Sequence, residues 1–246
     1  MTVHVGTSGY NYPEWRGSFY PKELPASAML RHYGERFGTV EINATFYRMP
    51  TAKSLTDWAA ATPPGFVFTL KAPQRITHMR RLRDIDEPLR VFCDTARLLG
   101  PKLGPLFFQL PPNFKKDTGR LQDLLAQVPP DLRCAVEFRH ASWFADDVYA
   151  VLRSRDAALC VADTEDGRTP DEATASWGYY RLRNIDYPDA ELAAWAAALT
   201  RPGRGVVFCY FKHEDTGTGP ALAARLRGML ATLTADPTGR SRNTTG

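Results

Sequence analysis

Short apolar runs alternate with amphipathic stretches along the whole chain. The runs Val3–Gly6, Thr39–Phe46, Phe66–Lys71, Leu106–Leu110, Arg133–Arg139, Ala158–Asp163, Gly178–Leu182 and Val206–Lys212 read as strands. Helices are expected near Ser27–Phe37, Ala52–Ala61, Glu87–Leu99, Gly119–Val128, Ala145–Arg153, Ala190–Leu199 and Leu222–Leu233. A weaker, short helix is expected around Pro170–Ala175. In the fourth helix Leu121, Leu124, Leu125 and Val128 recur at i, i+3, i+4 and i+7, which is the spacing of one helix face. Leu222, Leu226, Met229, Leu230 and Leu233 share a face of the last.

Eight strand-then-helix units in one composition regime predict an α/β fold, a single (β/α)8 TIM-type barrel. The length of 246 residues suits one such barrel. Residues 1–234 are assigned to it. The polar stretch Ala235–Gly246, with its Pro and Gly, reads as a flexible tail. The competing architecture is an open doubly wound sheet. That usually carries G-x-G-x-x-G after the first strand, and GTSGYNY does not fit the pattern.

Strand parity then locates the chemistry, because successive side chains point to opposite faces. Val40 and Ile42 oppose Glu41 and Asn43. Phe66, Phe68 and Leu70 oppose Thr69 and Lys71. Leu106, Phe108 and Leu110 oppose Phe107 and Gln109. Cys134, Val136 and Phe138 oppose Ala135, Glu137 and Arg139, and Tyr180 and Leu182 oppose Arg181 and Arg183. The apolar set must pack on the helices, so the polar set faces into the barrel near its C-terminal mouth, where barrel enzymes carry their sites. This gives an inward ring of Glu41, Lys71, Gln109, Glu137, Arg139 and Arg181. The same ring would also serve as a structural salt-bridge network. Asp163 shares parity with Leu159 and Val161 and reads as a strand-end or loop residue.

The loops at the mouth add aromatic and basic groups. Tyr10, Tyr12, Trp15, Phe19 and Tyr20 follow the first strand, Phe46 and Tyr47 the second, and Trp143 and Phe144 the fifth. Such rings either stack on sugars and bases or pack the loops together. The segment after the third strand carries Arg75, His78, Arg80, Arg81 and Arg83, as a phosphate or polyanion site would require. Hydrophobic residues make up 43% and charged residues 24% of the chain, at a formal charge of +4. Seven Lys stand against 24 Arg. Arginine suits planar oxyanions, although GC-rich coding also enriches Arg and Ala together.

Cys93, Cys134, Cys160 and Cys209 form no C-x-x-C pair, and three lie inside apolar runs, so buried thiols rather than zinc ligands are expected. His213, Glu214 and Asp215 are metal ligands in type, but adjacent side chains diverge. No metal and no cofactor are expected. MTVHVGTSGY lacks the form of a secretory signal, and no run of 18 apolar residues suggests a membrane span. The chain is therefore expected to be cytoplasmic, with no membrane partner. No G-x-S-x-G elbow or Ser-His-Asp constellation is present, which argues against a serine hydrolase.

GTSGYNYPEWRGSFYP, TVEINATFYRMP, FTLKAPQRITH, KLGPLFFQLPP, AVEFRHASWF and ALCVAD resemble the YecE-like family, domain of unknown function 72. The likeness runs from about residue 3 to residue 233. It implies a TIM-type barrel, similar to those of xylose isomerase-like enzymes and endonuclease IV, and carries no established reaction. The positions matching the family motifs are Gly6, Ser8, Gly9, Trp15, Glu41, Asn43, Phe46, Tyr47, Lys71, Gln109, Glu137, Arg139, His140, Trp143 and Asp163. YYRLRN and YFKHED depart from the commonest family form, where His-Gly and Asn-Asn are frequent.

Together these readings make Glu41, Lys71, Glu137, Arg139 and Asp163 the candidate catalytic residues. Glu41 or Glu137 would act as general base, and Lys71 and Arg139 would hold an oxyanion. Ser8, Tyr10, Trp15, Asn43, Tyr47, Arg75, His78, Gln109, His140, Trp143 and Arg181 are the candidate substrate-binding residues. The expected ligand is a small phosphorylated or polyanionic compound, such as a phosphorylated sugar, a nucleotide or a nucleic-acid fragment, handled by a hydrolase- or isomerase-type enzyme. The alternatives are a non-catalytic nucleic-acid or nucleotide-binding module and an interaction protein with a vestigial site.

Overall fold

β-branched and aromatic residues fill the short runs, and helix formers fill the stretches between them, so the chain alternates strand and helix as its pattern requires. The structure, a computed structural model, describes residues 1–212 and 217–235. Its strands are β1 (Thr2–Ser8), β2 (Thr39–Ile42), β3 (Val67–Lys71), β4 (Leu103–Gln109), β5 (Cys134–Glu137), β6 (Ala158–Thr164), β7 (Gly167–Arg168), β8 (Gly178–Leu182) and β9 (Val206–Phe211). Its helices are α1 (Ala26–Gly34), α2 (Ala44–Tyr47), α3 (Ala52–Ala61), α4 (Asp86–Ala96), α5 (Thr118–Gln127), α6 (Asp146–Arg153), α7 (Asp189–Leu199) and α8 (Thr218–Ala235). His213, Glu214, Asp215 and residues 236–246 lie outside the described residues.

The hydrogen-bonded order β5-β4-β3-β2-β1-β9-β8-β6 closes on itself through β5 and β6. All barrel pairings are parallel. The two-residue β7 folds back antiparallel on β6. The fold is thus a closed eight-stranded parallel barrel, as the alternation predicts.

Two apolar clusters divide the interior. The larger lies between strands and helices and takes the outward residues, such as Val40, Phe68, Leu70, Phe108, Val136 and Leu182, with Leu89, Leu121, Leu124, Leu152 and Leu226 from the helices. Each such side chain removed from water contributes roughly 1.5–3 kcal/mol. The smaller cluster fills the barrel itself with Phe107, Ala135, Cys160, Tyr179, Phe208 and Tyr210. Phe107 stacks on Tyr179 at 5.0 Å. The Tyr210 hydroxyl is paired with both Thr39 Oγ1 and Thr69 Oγ1 at 2.8 Å. This aromatic layer is the floor beneath the polar mouth.

Two expected elements differ. The second strand stops at Ile42 instead of running to Phe46. Thr45 Oγ1 donates to the carbonyls of Ile42 (3.0 Å) and Lys71 (2.6 Å), which turns the chain into the one-turn helix α2. The short helix around Pro170–Ala175 is absent. Thr169 and Thr174 are hydrogen-bonded to the backbone of β6 and its first flanking residue instead. Leu159 N donates to Thr174 Oγ1 and Ala162 N to Thr169 Oγ1, each at 2.8 Å, and Thr174 Oγ1 donates to Ala157 O at 2.7 Å. Side chains that bond to neighbouring backbone in this way compete with helix formation.

The barrel wall is thin at one place. β5 and β6 pair only through Ala135 with Ala158 and Val136 with Leu159. Above that level the β6 backbone turns to Thr169, and the strand ends diverge.

Candidate functional site

Register brings the polar side chains together. Ser8 of β1 lies beside Glu41 of β2, Gln109 of β4 beside Glu137 of β5, and Ala162 of β6 beside Arg181 of β8. Their side chains enter the barrel above the aromatic floor, where a charged group persists only if it is paired.

Arg181 is the hub. It is 1% exposed, and its guanidinium joins the two carboxylates. Nη2 donates to Glu41 Oε1 at 2.9 Å, and Nη1 donates to Glu137 Oε2 at 2.7 Å. Its cationic carbon lies 4.8 Å from the Phe107 ring. Glu41 also accepts from the Ser8 and Tyr179 hydroxyls. Asn43 Nδ2 donates to Ser8 Oγ at 2.8 Å and so orders that hydroxyl. Glu137 Oε1 accepts from Gln109 Nε2 at 2.7 Å and Arg139 Nε at 3.0 Å. Burial alone would raise the Glu137 carboxyl, but Arg181 and Arg139 outweigh it and hold the group well below the usual carboxylate range.

Lys71 sits differently. Nζ donates to Gln109 Oε1 at 3.0 Å and lies 4.0 Å from the centre of the Phe46 ring. Gln109 is fixed at both ends, because its amide nitrogen is already committed to Glu137. Among the described residues no carboxylate lies within ion-pair distance of Lys71. Burial, and then the neighbouring Arg181, lower the Lys71 ammonium to about 7. His78 meets the edge of the same Phe46 ring at 4.9 Å, and burial followed by Lys71 and Arg139 lowers it to about 4.

Beside this ring the diverging ends of β5 and β6 open a cleft of about 620 Å³, walled in part by Glu137, Arg139, Phe144, Ala162, Arg168 and Arg183. Arg183 faces it from the residue after β8. Its Nε is buried with no hydrogen-bond partner among the described residues. Burial, and then Arg181, lower this guanidinium from its usual value. A second cleft of about 680 Å³, between the β1–α1 loop and α8, contains none of the ring residues.

Thus the structure brings together Ser8, Glu41, Asn43, Lys71, His78, Gln109, Glu137, Arg139 and Arg181. It does not bring in Asp163, whose carboxylate accepts from the Tyr187 hydroxyl at 2.8 Å on the outward side of β6, as its parity indicates. Trp15 and Trp143 are not rim platforms. Trp15 is fully buried against Tyr12, Phe19 and Tyr20, where it packs the loop onto α1. Trp143 is fully buried, stacks on Phe138 at 4.6 Å and donates Nε1 to Phe114 O at 2.7 Å. Tyr10 is half-buried against Tyr33. Large aromatic areas are better hidden in loop packing than left at the mouth. His140 Nδ1 caps the turn at Ala141–Trp143 by accepting from Ser142 N at 3.2 Å. Tyr47 is 74% exposed at the rim, and Arg75 is exposed on the turn Arg75–Met79. Beyond that turn Arg81, Leu82 and Asp84 adopt φ of 48°, 65° and 49°, so the basic loop is held in a strained shape.

Three members of the site lie outside the candidate residues, although parity already places Arg183 on the inward face and Phe46 already reads as a mouth aromatic. Tyr179 shares the inward parity of Arg181, two residues on, and that signal could have found it. Arg183 shares it as well. Phe46 required the α2 turn, which the strand reading hid.

The arrangement defines a class: a parallel β/α barrel whose mouth encloses a buried carboxylate–guanidinium network flanked by cations. The family model "Protein of unknown function DUF72" matches residues 4–244, and the chain belongs to this family. It is 31% identical to the UPF0759 protein YunF of Bacillus subtilis over 155 residues, 60% of this chain and 54% of that protein. It is 28% identical to the UPF0759 protein YecE of Escherichia coli over 144 residues, 58% of this chain and 50% of that protein. The chain spans about half the length of these curated relatives. A solved DUF72 family protein from Thermotoga maritima superposes with a TM-score of 0.84 at 27% identity, covering 94% of this chain and all of that one. One from Enterococcus faecalis gives 0.75 at 18%, covering 94% and 98%. Among the described residues no helix is long and apolar enough to cross a membrane.

Proposed function

We propose that the mouth binds a small phosphorylated or otherwise polyanionic compound and that the site is enzymatic. The observation carrying this reading is an imbalance of charge. Glu41 and Glu137 are both engaged by Arg181, while Lys71, Arg139 and Arg183 stand around them with one carboxylate contact among the three within the described residues. A phosphate or carboxylate in the cleft would answer the unpaired Arg183 Nε and the outward side of Arg139.

The same geometry divides the roles. A general base works best with a pKa near the operating pH. Glu137, held strongly ionised, suits an anchor for Arg139 and Gln109. Lys71, at about 7, suits the group that exchanges a proton. His78 stays neutral beside it. The substrate class that fits best is a phosphorylated sugar or nucleotide in a hydrolase- or isomerase-type reaction. The exposed Arg75, Arg81 and Arg83 favour a second reading, a nucleic-acid-binding module that uses the same face. The four buried, unpaired thiols fit a reducing, cytoplasmic setting.

A thermal-shift screen of sugar phosphates, nucleotides, their unphosphorylated counterparts and oligonucleotides tests these readings. Stabilisation by small phosphorylated compounds alone supports the first. A response only to long oligonucleotides, steeply weakened by salt, supports the second.

A further inference from the structure

The lysine of the ring is placed for more than charge. A buried ammonium is normally retained by a carboxylate, yet the two carboxylates nearest Lys71 are both occupied by Arg181. Its one acceptor among the described residues is the side-chain carbonyl of Gln109, which is not basic enough to take the proton. Gln109 cannot swing away either, because its nitrogen is bound to Glu137. The ring of Phe46 lies 4.0 Å from the amine and covers it on one side. Lys71 ends β3 and keeps 8% of its surface exposed, so it is not sealed off.

We infer that Lys71 is a covalent nucleophile that forms an imine with the carbonyl carbon of a phosphorylated aldehyde or ketone. This rests on the anion-binding reading of the mouth and narrows it to a carbonyl substrate. The unprotonated amine attacks the carbonyl carbon, and a C–N bond forms as the C=O π pair moves to oxygen. The nitrogen loses its two hydrogens as protons, and the oxygen departs with both as water. No oxidant or reductant is consumed. The lowered basicity of Lys71, to about 7, keeps a large share of the amine unprotonated at neutral pH. His78 gathers on the same Phe46 ring and, uncharged, can carry the proton between nitrogen and the departing hydroxyl. Arg139 and Arg183 are left for the phosphate.

Reductive trapping tests this. The intact protein is incubated with dihydroxyacetone phosphate or with dihydroxyacetone, then treated with borohydride, which delivers hydride to the imine carbon and fixes a secondary amine. Intact-mass and peptide mass spectrometry follow. Seven lysines compete, so the position of the adduct is informative. The expected result is a single adduct on Lys71, formed at least about tenfold faster with the phosphorylated ketone. Excess inorganic phosphate should suppress it, and K71R should lack it. A circular dichroism spectrum and melting curve for K71R matching wild type would show that the loss is chemical. Adducts spread over the surface lysines and unchanged in K71R would overturn the proposal. Calorimetric binding of dihydroxyacetone phosphate without any adduct would overturn the imine alone and leave the anion site standing. Absence of both binding and adduct would remove both.

Discussion

Replacing Glu137 by Gln tests whether the buried carboxylate is a framework element. The glutamate oxygens accept from three donors: Oε2 from Arg181, and Oε1 from Gln109 and Arg139. A glutamine can place its carbonyl toward one side only. Its amide then directs N–H groups at a donor, either at Arg181 or at Gln109 and Arg139. Breaking a buried ion pair by removing one partner costs about 3–5 kcal/mol. Arg181 keeps Glu41 at 2.9 Å, so the lower end applies, about 3 kcal/mol. For a chain of this size that is roughly 6–12 °C in melting temperature. The assay is reversible urea unfolding beside a thermal scan at neutral pH. A loss below about 1 kcal/mol would refute the reasoning and show that the carboxylate is retained at little structural cost.

Further outcomes follow from the same geometry. Lys71→Met removes a buried ammonium that lacks an ion pair, so stability should hold or rise while ligand response is lost; a fall in melting temperature comparable to that of Glu137→Gln would contradict this. The folded-state value of Lys71, about 7, lies below its ordinary 10.5, so the unfolded chain binds more protons between them. Wild-type stability relative to Lys71→Met should therefore rise with pH across that window, as denaturation at a series of pH values would show. Asp163→Ala should cost about 1–3 kcal/mol through the lost Tyr187 bond yet leave phosphate affinity unchanged, measured by unfolding and calorimetry together. Arg81→Gly should stabilise by about 0.5–1 kcal/mol, because Arg81 is exposed at a φ of 48° that glycine adopts without strain.

Much of the ring was legible because side-chain alternation in a strand is strict. Glu41, Lys71, Gln109, Glu137 and Arg181 all oppose aliphatic neighbours in their own runs, and a barrel leaves the polar face nowhere to go but inward. The same rule placed Asp163 outside, and family likeness alone had drawn it into the site. The aromatic loops were not legible, because a tryptophan that stacks on a ligand and one that packs a loop have the same sequence. Only the contacts of Trp15 with Tyr12 and of Trp143 with Phe138 and Phe114 decide between them. The region after β6 misled for a related reason. Thr169 and Thr174 bond to the strand backbone rather than to their own turn, a long-range choice invisible in a local window. The cleft between β5 and β6 depends on where a ladder stops, which sequence alternation does not encode.

The excess cations at the mouth should hold an anion. Isothermal titration of pyrophosphate into wild type, Arg139→Gln and Arg183→Gln, each at low and moderate salt, measures this. Wild type should bind at one site per chain, and each variant should lose about tenfold or more in affinity, equivalent to about 1.4 kcal/mol per contact. Each variant should also unfold within about 1 kcal/mol of wild type, since Arg183 makes no side-chain bond at Nε and Arg139 makes one. Equal affinity in all three proteins, or no saturable binding in any, would contradict it.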